Sequence, residues 1–463
     1  MLSPTLKEAI KVTLSISIAI ALALFFQWEK PYWAAITVIA VSMSETFGHG
    51  IQRANLLLVG TLTGIGYAFL MISLFPQDPF LFICFFTLFL AVCVFFADNK
   101  KYGYAFTMAF TVFAIIAMMG RGNGEVSFNY AILRAQETIL GVLAYSAVFK
   151  LIWPVTTESR FFETLKTTTR QFHIAQTSIE RTFANNQFLE TESQQFDNQS
   201  TINQLQELLN LPLTSSYRLK HQKNKWQAVI NACFGIQAHI NLIVEDIEQD
   251  INRTNVEQHL IDLKQEIALL EQAFEGNKND TVALINYWKK SIYSTESKSS
   301  FIVTKSLLKR RLERVASAVA TSSTCFGLWI YFAIPGSFIF PMLGAVIANA
   351  TRLMPDRIIR QAKYSVISWG GIFLVQYCFV LPSITELWQL IAFYMVNTFL
   401  IYAVFNKPSD AMTRMIGGIM MVLMTMNALY ATPKFDIIMP ILMLIIMLMV
   451  LAIAGFYTRL FHR

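Results

Sequence analysis

The chain has 463 residues, of which 54% are hydrophobic and only 14% are charged. Soluble proteins carry about 25% charged residues, and apolar runs of about 20 residues recur along this chain, as in membrane-spanning helices. The composition therefore excludes an ordinary soluble protein and predicts a polytopic helical membrane protein. The net charge of +7 fits basic cytoplasmic loops better than nucleic-acid binding. The five scattered cysteines predict neither a disulfide framework nor a metal site.

Twelve apolar segments, in two blocks of six, are the predicted membrane spans. The first block comprises the segments near residues 8–27, 32–47, 54–75, 79–97, 102–120 and 130–153. The second block comprises the segments near residues 313–334, 337–353, 361–382, 385–405, 411–430 and 437–459. The second segment of each block is short and is flanked by proline or glycine. Interrupted spans at matching places in two halves of a membrane protein indicate a binding region.

The two blocks share a sequence pattern. Three features recur with the same spacing, which pairs Pro31 with Pro341, Arg53 with Lys363 and Gly60 with Gly370. Lysine and arginine are concentrated in every second loop, so both termini and the middle region are predicted to face the cytoplasm. Because six spans is an even number, both blocks enter the membrane from the same side. The predicted fold is an all-α membrane protein with about twelve spans in two parallel six-helix repeats.

The middle of the chain differs from both blocks because it is polar, rich in Gln and Asn, and close to charge balance. Apolar residues recur at coiled-coil spacing within 161–183, 226–247 and 256–274, which predicts amphipathic helices whose apolar faces need partners. The stretch 185–200 is predicted to be a loop. We therefore predict a cytoplasmic helical bundle that could also pair subunits into a homodimer. The predicted domains are the first membrane repeat at 1–154, the bundle at 155–308 and the second membrane repeat at 309–463.

Arg134 and Glu137 are the sharpest candidates for a functional site. They lie one helical turn apart in the last predicted span of the first block. An ionised side chain at mid-membrane costs about 2.5–3.5 kcal/mol on insertion scales, so such groups are found paired or facing a wet cavity. One interpretation is that Arg134 attracts an anionic substrate while Glu137 binds a proton. The alternative is a structural ion pair near the outer end of the helix.

Other charged residues lie near the cytoplasmic ends of the spans. Arg53 and Lys363 occupy matching places at the start of the third span of each block, where they could form a basic ring that attracts anions. The alternative, which is favoured for each residue taken alone, is anchoring by the positive-inside rule. Glu45 and His49 lie one turn apart just before Arg53 and could relay protons. A loop pair without a role in transport is the alternative.

The glycines of the third span predict close helix packing. Gly60, Gly64 and Gly66, in the run G-T-L-T-G-I-G, form a small-residue face that lets a neighbouring helix approach, and Gly370 repeats this feature in the second block. The run is not a phosphate-binding loop because no Walker lysine follows it. The sequence contains no Walker motif and no recognisable catalytic set, so we predict neither an enzyme nor a cofactor.

Several of these segments resemble one known family. P-Y-W-A-A-I-T-V, which begins at Pro31, and V-G-T-L-T-G-I-G, which begins at Val59, resemble the signature of the fusaric acid resistance (FUSC) and aromatic acid exporter family. R-A-Q-E-T-I-L-G, which begins at Arg134, is similar to the close of the family's first membrane block. The layout of the whole chain matches the family, and the specific motifs lie mostly in residues 31–154. Carried over by motif, the positions of interest are Pro31, Trp33, Arg53, Gly60, Arg134 and Glu137.

The resemblance implies an inner-membrane efflux protein for aromatic carboxylates and related toxic organic acids. It also implies use of the proton motive force and, in some members, a periplasmic adaptor protein. We therefore expect proton-coupled export of a small organic anion across the lipid bilayer. The expected substrate-binding residues are Arg53, Arg134, Lys363 and Trp33, and the expected proton-coupling residues are Glu137 and Glu45. A passive anion channel and a non-transporting membrane scaffold are the alternatives.

Overall fold

The structure is a computed structural model, and in the part of the chain that it describes all secondary structure is helical. The described residues are 3–43, 46–75, 77–99, 101–120, 123–185, 198–211, 216–248, 253–275, 305–332, 334, 336–352, 354–430, 432–433 and 435–461. The chain divides into two compact units. The first comprises Met1–Glu45, Gly50–Pro154 and Val303–Arg463, and the second comprises Thr46–His49 and Val155–Ile302.

The part of the chain that the structure describes contains 17 α-helices, of which twelve belong wholly or mainly to the first unit. Six lie before the middle of the chain: α1 (Pro4–Phe25), α2 (Tyr32–Ser42), α3 (Phe47–Leu74), α4 (Pro79–Phe96), α5 (Gly103–Met119) and α6 (Gly124–Leu151). Five helices make up the middle of the chain: α7 (Thr157–Asn185), α8 (Gln199–Asn210), α9 (Tyr217–His221), α10 (Lys223–Glu248) and α11 (Arg253–Glu275). Six follow: α12 (Lys305–Phe332), α13 (Ile339–Thr351), α14 (Asp356–Phe379), α15 (Leu387–Val404), α16 (Ala411–Thr425) and α17 (Ile438–Phe461).

Polar residues next to the apolar runs fix where several of these helices begin. The side chain of Asp78 accepts hydrogen bonds from the backbone N–H groups of Phe80 and Leu81, and Pro79 occupies the first helical position of α4. Asn123 caps α6 in the same way through Glu125 and Val126. Such caps satisfy N–H groups that have no partner inside the helix, so these starting points follow from local sequence.

Each predicted apolar segment corresponds to one helix, but three helices begin six to eight residues earlier than predicted. α3 begins at Phe47 rather than near residue 54, α6 begins at Gly124 rather than near 130, and α12 begins at Lys305 rather than near 313. The additional turns are polar. Apolarity marks only the part of a helix that can lie in lipid, whereas the backbone hydrogen bonds continue through the polar turns beyond it.

The chain is a multi-pass membrane protein. Ten helices of the described chain are long and apolar enough to cross a membrane, and one of these is the stretch Lys223–Glu245 within α10. Large apolar side chains are exposed along several of the others, for example Leu62, Leu143 and Val375, as expected for surfaces that face lipid. α2 and α13 have 11 and 13 residues, so both are short, as predicted, compared with the roughly 20 residues of a full span.

The helix contacts within the first unit follow one scheme in both blocks. α2 packs against α1 and α6, and α13 packs against α12 and α17. Contacts between the blocks are reciprocal as well. The first helix of each block packs against the fourth helix of the other (α1 on α15, α12 on α4), and the second packs against the fifth (α2 on α16, α13 on α5). Helices of each block are therefore packed partly against helices of the other block.

The second unit is a set of helices around its own apolar core. α10 packs against α7, α8 and α11, and α7 packs against α8 and α11. The three predicted apolar stripes meet in this core through residues such as Phe161, Phe172, Trp226, Ile240 and Leu263. The apolar faces of these amphipathic helices are therefore buried against one another. The side chains of Phe183, Ile247, Val256 and Phe274, and most of the predicted loop at 185–200, lie outside the described residues.

Candidate functional site

Arg134 and Glu137 lie near the midpoint of α6, on the face of this helix that is turned inward. Arg134 is 6% exposed and Glu137 is fully buried. Within the described chain the two residues form no direct salt bridge, and neither carboxylate oxygen of Glu137 has a hydrogen-bond partner. Nε and Nη1 of Arg134 also lack partners there. Buried charged groups are normally paired and hydrogen-bonded, so this pair has unused capacity to bind a ligand or a proton.

Trp33 on α2 supports the arginine. The guanidinium carbon of Arg134 lies 4.3 Å from the centre of the Trp33 ring, which is a cation–π contact. The two helices can approach this closely because α6 has a glycine one turn beyond Glu137. A Cβ atom at Gly141 would lie 2.7 Å from the backbone oxygen of Ala34 and 2.7 Å from Cβ of Thr37. The narrow seam between α2 and α6 therefore fixes Arg134 against Trp33.

Aromatic hydroxyls lie at the end of the same seam where α2 begins. Tyr32 is 3% exposed and lies within electrostatic range of Glu137, and its ring packs edge-on against that of Tyr430 of the second block, with 6.4 Å between the ring centres. Lys30 also lies within electrostatic range of Glu137, and its Nζ atom lies 3.9 Å from the centre of the Tyr130 ring. These groups form a polar surround in which a proton or an anion can be held.

A cavity of about 370 Å³ adjoins Tyr430, and this volume lies within the usual range for small-molecule sites. Its walls combine apolar and aromatic side chains from both blocks, including Leu24, Trp28, Leu387 and Phe435. Tyr430 therefore connects two environments, because it lines the cavity and its ring also packs against that of Tyr32. An aromatic ligand could occupy the cavity at one end of the seam.

The other predicted site residues have separate environments. Arg53 on α3 lies over the ring of Tyr104 on α5, with 4.6 Å between the guanidinium carbon and the ring centre. Lys363 on α14 lies beside α17, where a Cβ at Gly455 would be 3.3 Å from its Nζ atom. The surroundings of these two matched residues therefore differ. Glu45 lies outside the described residues. Nε2 of His49, the residue that was predicted to pair with Glu45, lies 3.4 Å from Oε1 of Glu207.

The glycine and proline predictions concern packing. Cβ atoms at Gly60 and Gly64 would lie 2.6 Å from the backbone oxygen of Ala105 and 2.5 Å from that of Ala109, so both glycines admit α5. The prediction for Gly66 was wrong, because open space surrounds its position on another side of the helix. Gly370 meets Leu444 and Met420 side chains. Pro31 immediately precedes α2, and Pro341 lies in the first turn of α13, where proline is tolerated.

Sequence reasoning did not assign a role to Tyr32, Thr37, Gly141 or Tyr430 at this site. In the sequence, Tyr32 fits a membrane-interface role and a cavity-wall role equally well, and Tyr430 is almost 400 residues away from it in the chain. Gly141 did carry a signal, because it lies one turn beyond Glu137 and glycine in a helix interior often admits a neighbouring backbone. Contacts between the two blocks carry no such local signal.

Comparison with protein-family models matches residues 5–325 to the fusaric acid resistance protein family, which is more than half of the chain. The chain belongs to this family. The p-hydroxybenzoic acid efflux pump subunit AaeB of Musicola paradisiaca (strain Ech703) is 28% identical over 150 residues. AaeB of Edwardsiella tarda (strain FL6-60) is 26% identical over 147 residues. Each alignment covers 30% of this chain and only 23% of the relative. The predicted family resemblance is confirmed.

Proposed function

We propose that this member of the fusaric acid resistance family is an inner-membrane exporter of small organic anions, chiefly aromatic carboxylates, with protons as the coupling ion. The observation that carries the proposal is the buried pair of Arg134 and Glu137, whose polar atoms lack hydrogen bonds in the described chain. Ionisable groups in that position are costly unless they serve a substrate or proton path. The two AaeB relatives are named as p-hydroxybenzoic acid efflux pump subunits, which supports the aromatic carboxylate class.

The proposed architecture has twelve spans in two parallel repeats, formed by α1–α6 and α12–α17. The reciprocal contacts of the first, second, fourth and fifth helices support this arrangement. α10 is apolar enough to span a membrane, but residues such as Ile236 and Ile240 are fully buried in the core of the second unit. We therefore assign α10 to a cytoplasmic bundle. We also place both termini in the cytoplasm, because lysine and arginine are concentrated in the loops on the same side of the membrane as the termini.

The proposed coupling depends on competition for Arg134. An ionised Glu137 lies within electrostatic range of Arg134 and balances its charge. A substrate carboxylate brings a second negative charge into this low-dielectric seam, which is unfavourable while Glu137 is ionised. Uptake of one proton by Glu137 removes that repulsion and leaves the guanidinium for the substrate, to which it can form two parallel hydrogen bonds. For export, Glu137 would take this proton from the periplasmic side and release it to the cytoplasm. The re-ionised carboxylate would then repel the bound substrate, which would leave outward, so one proton would move inward for each carboxylate exported.

A second subunit is part of the proposal. Both relatives are named as subunits of an efflux pump, and on this basis we propose that the chain works with a periplasmic adaptor protein. The chain would supply the step across the inner membrane, and the adaptor would carry the substrate onward.

Uptake of labelled p-hydroxybenzoate into proteoliposomes, with and without an imposed pH gradient, tests the proposal. Accumulation against the substrate gradient only when protons flow supports coupled transport. Glu137→Gln should abolish the dependence on the pH gradient, whereas Glu125→Gln, an exposed position on the same helix, should leave it intact. Arg134→Lys should weaken substrate binding, because lysine lacks the planar pair of donors.

Three results would contradict the proposal. Downhill flux that is indifferent to pH would indicate a passive channel. Absence of flux for every anion tried would indicate a scaffold. Normal coupled transport by both Glu137→Gln and Arg134→Lys would place the site elsewhere in the protein.

A further inference from the structure

A second group of buried polar side chains lies at the other end of α6. Tyr145, two turns beyond Glu137, is fully buried, and its hydroxyl has no hydrogen-bond partner in the described chain. Gly50 on α3 lies directly against this hydroxyl, where any side chain would collide with it. Arg53 and Glu8 lie within electrostatic range of Tyr145. The fold therefore makes room for an unpaired donor beside an arginine.

The second block supplies similar groups to the same place. Tyr402 on α15 is 2% exposed, and its hydroxyl lies 3.2 Å from that of Ser42 at the end of α2. Arg414 on α16 lies beside Tyr402, with 5.8 Å between the guanidinium carbon and the ring centre. Nε of Arg414 is buried without a hydrogen-bond partner among the described residues, and so is Nε of Arg53. The two blocks thus each contribute one tyrosine and one arginine.

Glu8 on α1 connects the two halves of this group. Its Oε1 atom lies 3.9 Å from Nη1 of Arg414, a long distance for a salt bridge, and its charge acts on both Tyr145 and Tyr402. Its side chain is 43% exposed. Lys11, the next cation on α1, is occupied by the backbone oxygen of Trp153 at 2.6 Å. Glu8 therefore pairs with Arg414 and lies within electrostatic range of Tyr145, Tyr402 and Lys11.

We propose that Arg53, Arg414, Tyr145 and Tyr402 form a second binding site for an aromatic carboxylate, from which the substrate displaces Glu8. The unpaired arginine N–H groups and the Tyr145 hydroxyl are donors, and a carboxylate is the acceptor that matches them. The tyrosine rings provide aromatic walls for the organic part of the ligand. This inference rests on the proposed export function, and it places a loading site at the end of the bundle that we assign to the cytoplasm.

The role of Glu8 makes the proposal specific. A resident carboxylate screens the arginines when the site is empty and competes with the substrate when it arrives. Removal of its charge should therefore tighten substrate binding, which is the opposite of what loss of an ordinary contact residue does. The arginines and Tyr145 should behave as ordinary contact residues, and their removal should weaken binding.

Equilibrium dialysis of labelled p-hydroxybenzoate against the purified full chain tests these roles. Measurements in the Arg134→Gln background remove the proposed site in the α2–α6 seam, so the binding that persists reports the second site. In this background Glu8→Gln should lower the dissociation constant by about tenfold and Arg414→Gln should raise it by about tenfold, in line with charge-assisted hydrogen bonds. Tyr145→Phe should raise it by a smaller factor. Glu29→Gln, an exposed position near the far end of α1, is the matched control and should cause no change.

The outcomes separate this inference from the proposed function. Tighter binding in Glu8→Gln together with weaker binding in Arg414→Gln supports the second site. Loss of all binding in Arg134→Gln alone, or equal weakening by Glu8→Gln and Arg414→Gln, overturns it but leaves export through the α2–α6 seam intact. A wild-type chain that neither binds nor transports p-hydroxybenzoate overturns both. Melting temperatures of the variants identify any that fail to fold, and for those Arg414→Lys replaces Arg414→Gln.

Discussion

The second and sixth helices pack together in both blocks, but the chemistry of the two contacts is opposite. In the first block, α2 and α6 enclose Arg134 and Glu137 beside Trp33. In the second block, α13 and α17 join α12 around an apolar cluster within the described chain: Cys325, Phe340, Leu343, Ile347, Leu442, Ile446 and Val450. At the spacing that separates Pro31 from Pro341, the counterparts of Arg134 and Glu137 are Leu444 and Met447.

This difference separates the requirements of folding from those of function. The second block demonstrates that the helix contact can be made with apolar side chains. The first block carries two ionisable groups in the same kind of contact, although an apolar alternative would be less costly in a membrane. The polar groups are therefore poor candidates for a packing role, and variants that exchange the two chemistries test this interpretation directly.

The largest effect is expected from a charge in the apolar seam. Ile446 is fully buried, and Ile446→Glu places a carboxyl among aliphatic side chains without a partner. The expected cost is about 3 kcal/mol, which should appear as loss of monodisperse protein after extraction and a lower melting temperature. Ile446→Val, which removes one methylene group and should cost about 1 kcal/mol, is the control. Wild-type stability of Ile446→Glu would mean that water reaches this seam.

The reverse exchange should separate stability from transport. Arg134→Leu combined with Glu137→Met gives the first block the apolar residues found at the matching sequence positions of the second block, Leu444 and Met447. Replacement of buried ionic groups by apolar ones of similar volume often stabilises a protein by about 1–4 kcal/mol. We therefore expect a higher melting temperature together with complete loss of p-hydroxybenzoate transport. A lower melting temperature would mean that the pair holds the helices together, which would favour the structural interpretation.

Two glycines at helix contacts, Gly141 on α6 and Gly344 on α13, should differ in one respect. A second substitution can offset the loss of stability caused by alanine at Gly344, but not the loss caused by alanine at Gly141. Alanine at Gly141 meets the backbone oxygen of Ala34, whereas alanine at Gly344 meets Sγ and Cβ of Cys325 at 2.6 and 2.7 Å. Each substitution should lower stability by about 1–3 kcal/mol through overpacking. Cys325→Gly should restore much of the loss in Gly344→Ala, because it removes both contacted atoms. No side-chain change can relieve Gly141→Ala.

Thermal unfolding of the single and double variants measures this compensation as a coupling free energy. Gly66→Ala is the control for the substitution itself, because open space surrounds Gly66 and alanine is the better helix former. Additive effects of Gly344→Ala and Cys325→Gly would contradict the contact between α12 and α13 as described.

The sequence predicted the helices better than the site. Apolar runs indicated all twelve helices of the first unit, because lipid imposes composition over a whole span. The first two turns of α3, residues 47–53, carried no such signal, so their helical conformation was not predicted. Arg134 and Glu137 stood out because charge is rare inside a span. Tyr32 and Tyr430, or Glu8 and Arg414, become one site only through contacts between distant segments, which periodicity does not encode.

The smallest expected effect concerns one hydroxyl in the polar seam. Thr37 on α2 is 1% exposed, and its hydroxyl has no hydrogen-bond partner in the described chain; the matching position of the second block is Ile347. Thr37→Val keeps the shape and removes the unpaired group, so stability should rise by about 1 kcal/mol. If transport of p-hydroxybenzoate is unchanged, the hydroxyl is incidental to the seam. If the half-saturation concentration rises while stability also rises, Thr37 contacts the substrate, and the polar site extends along α2 beyond Trp33.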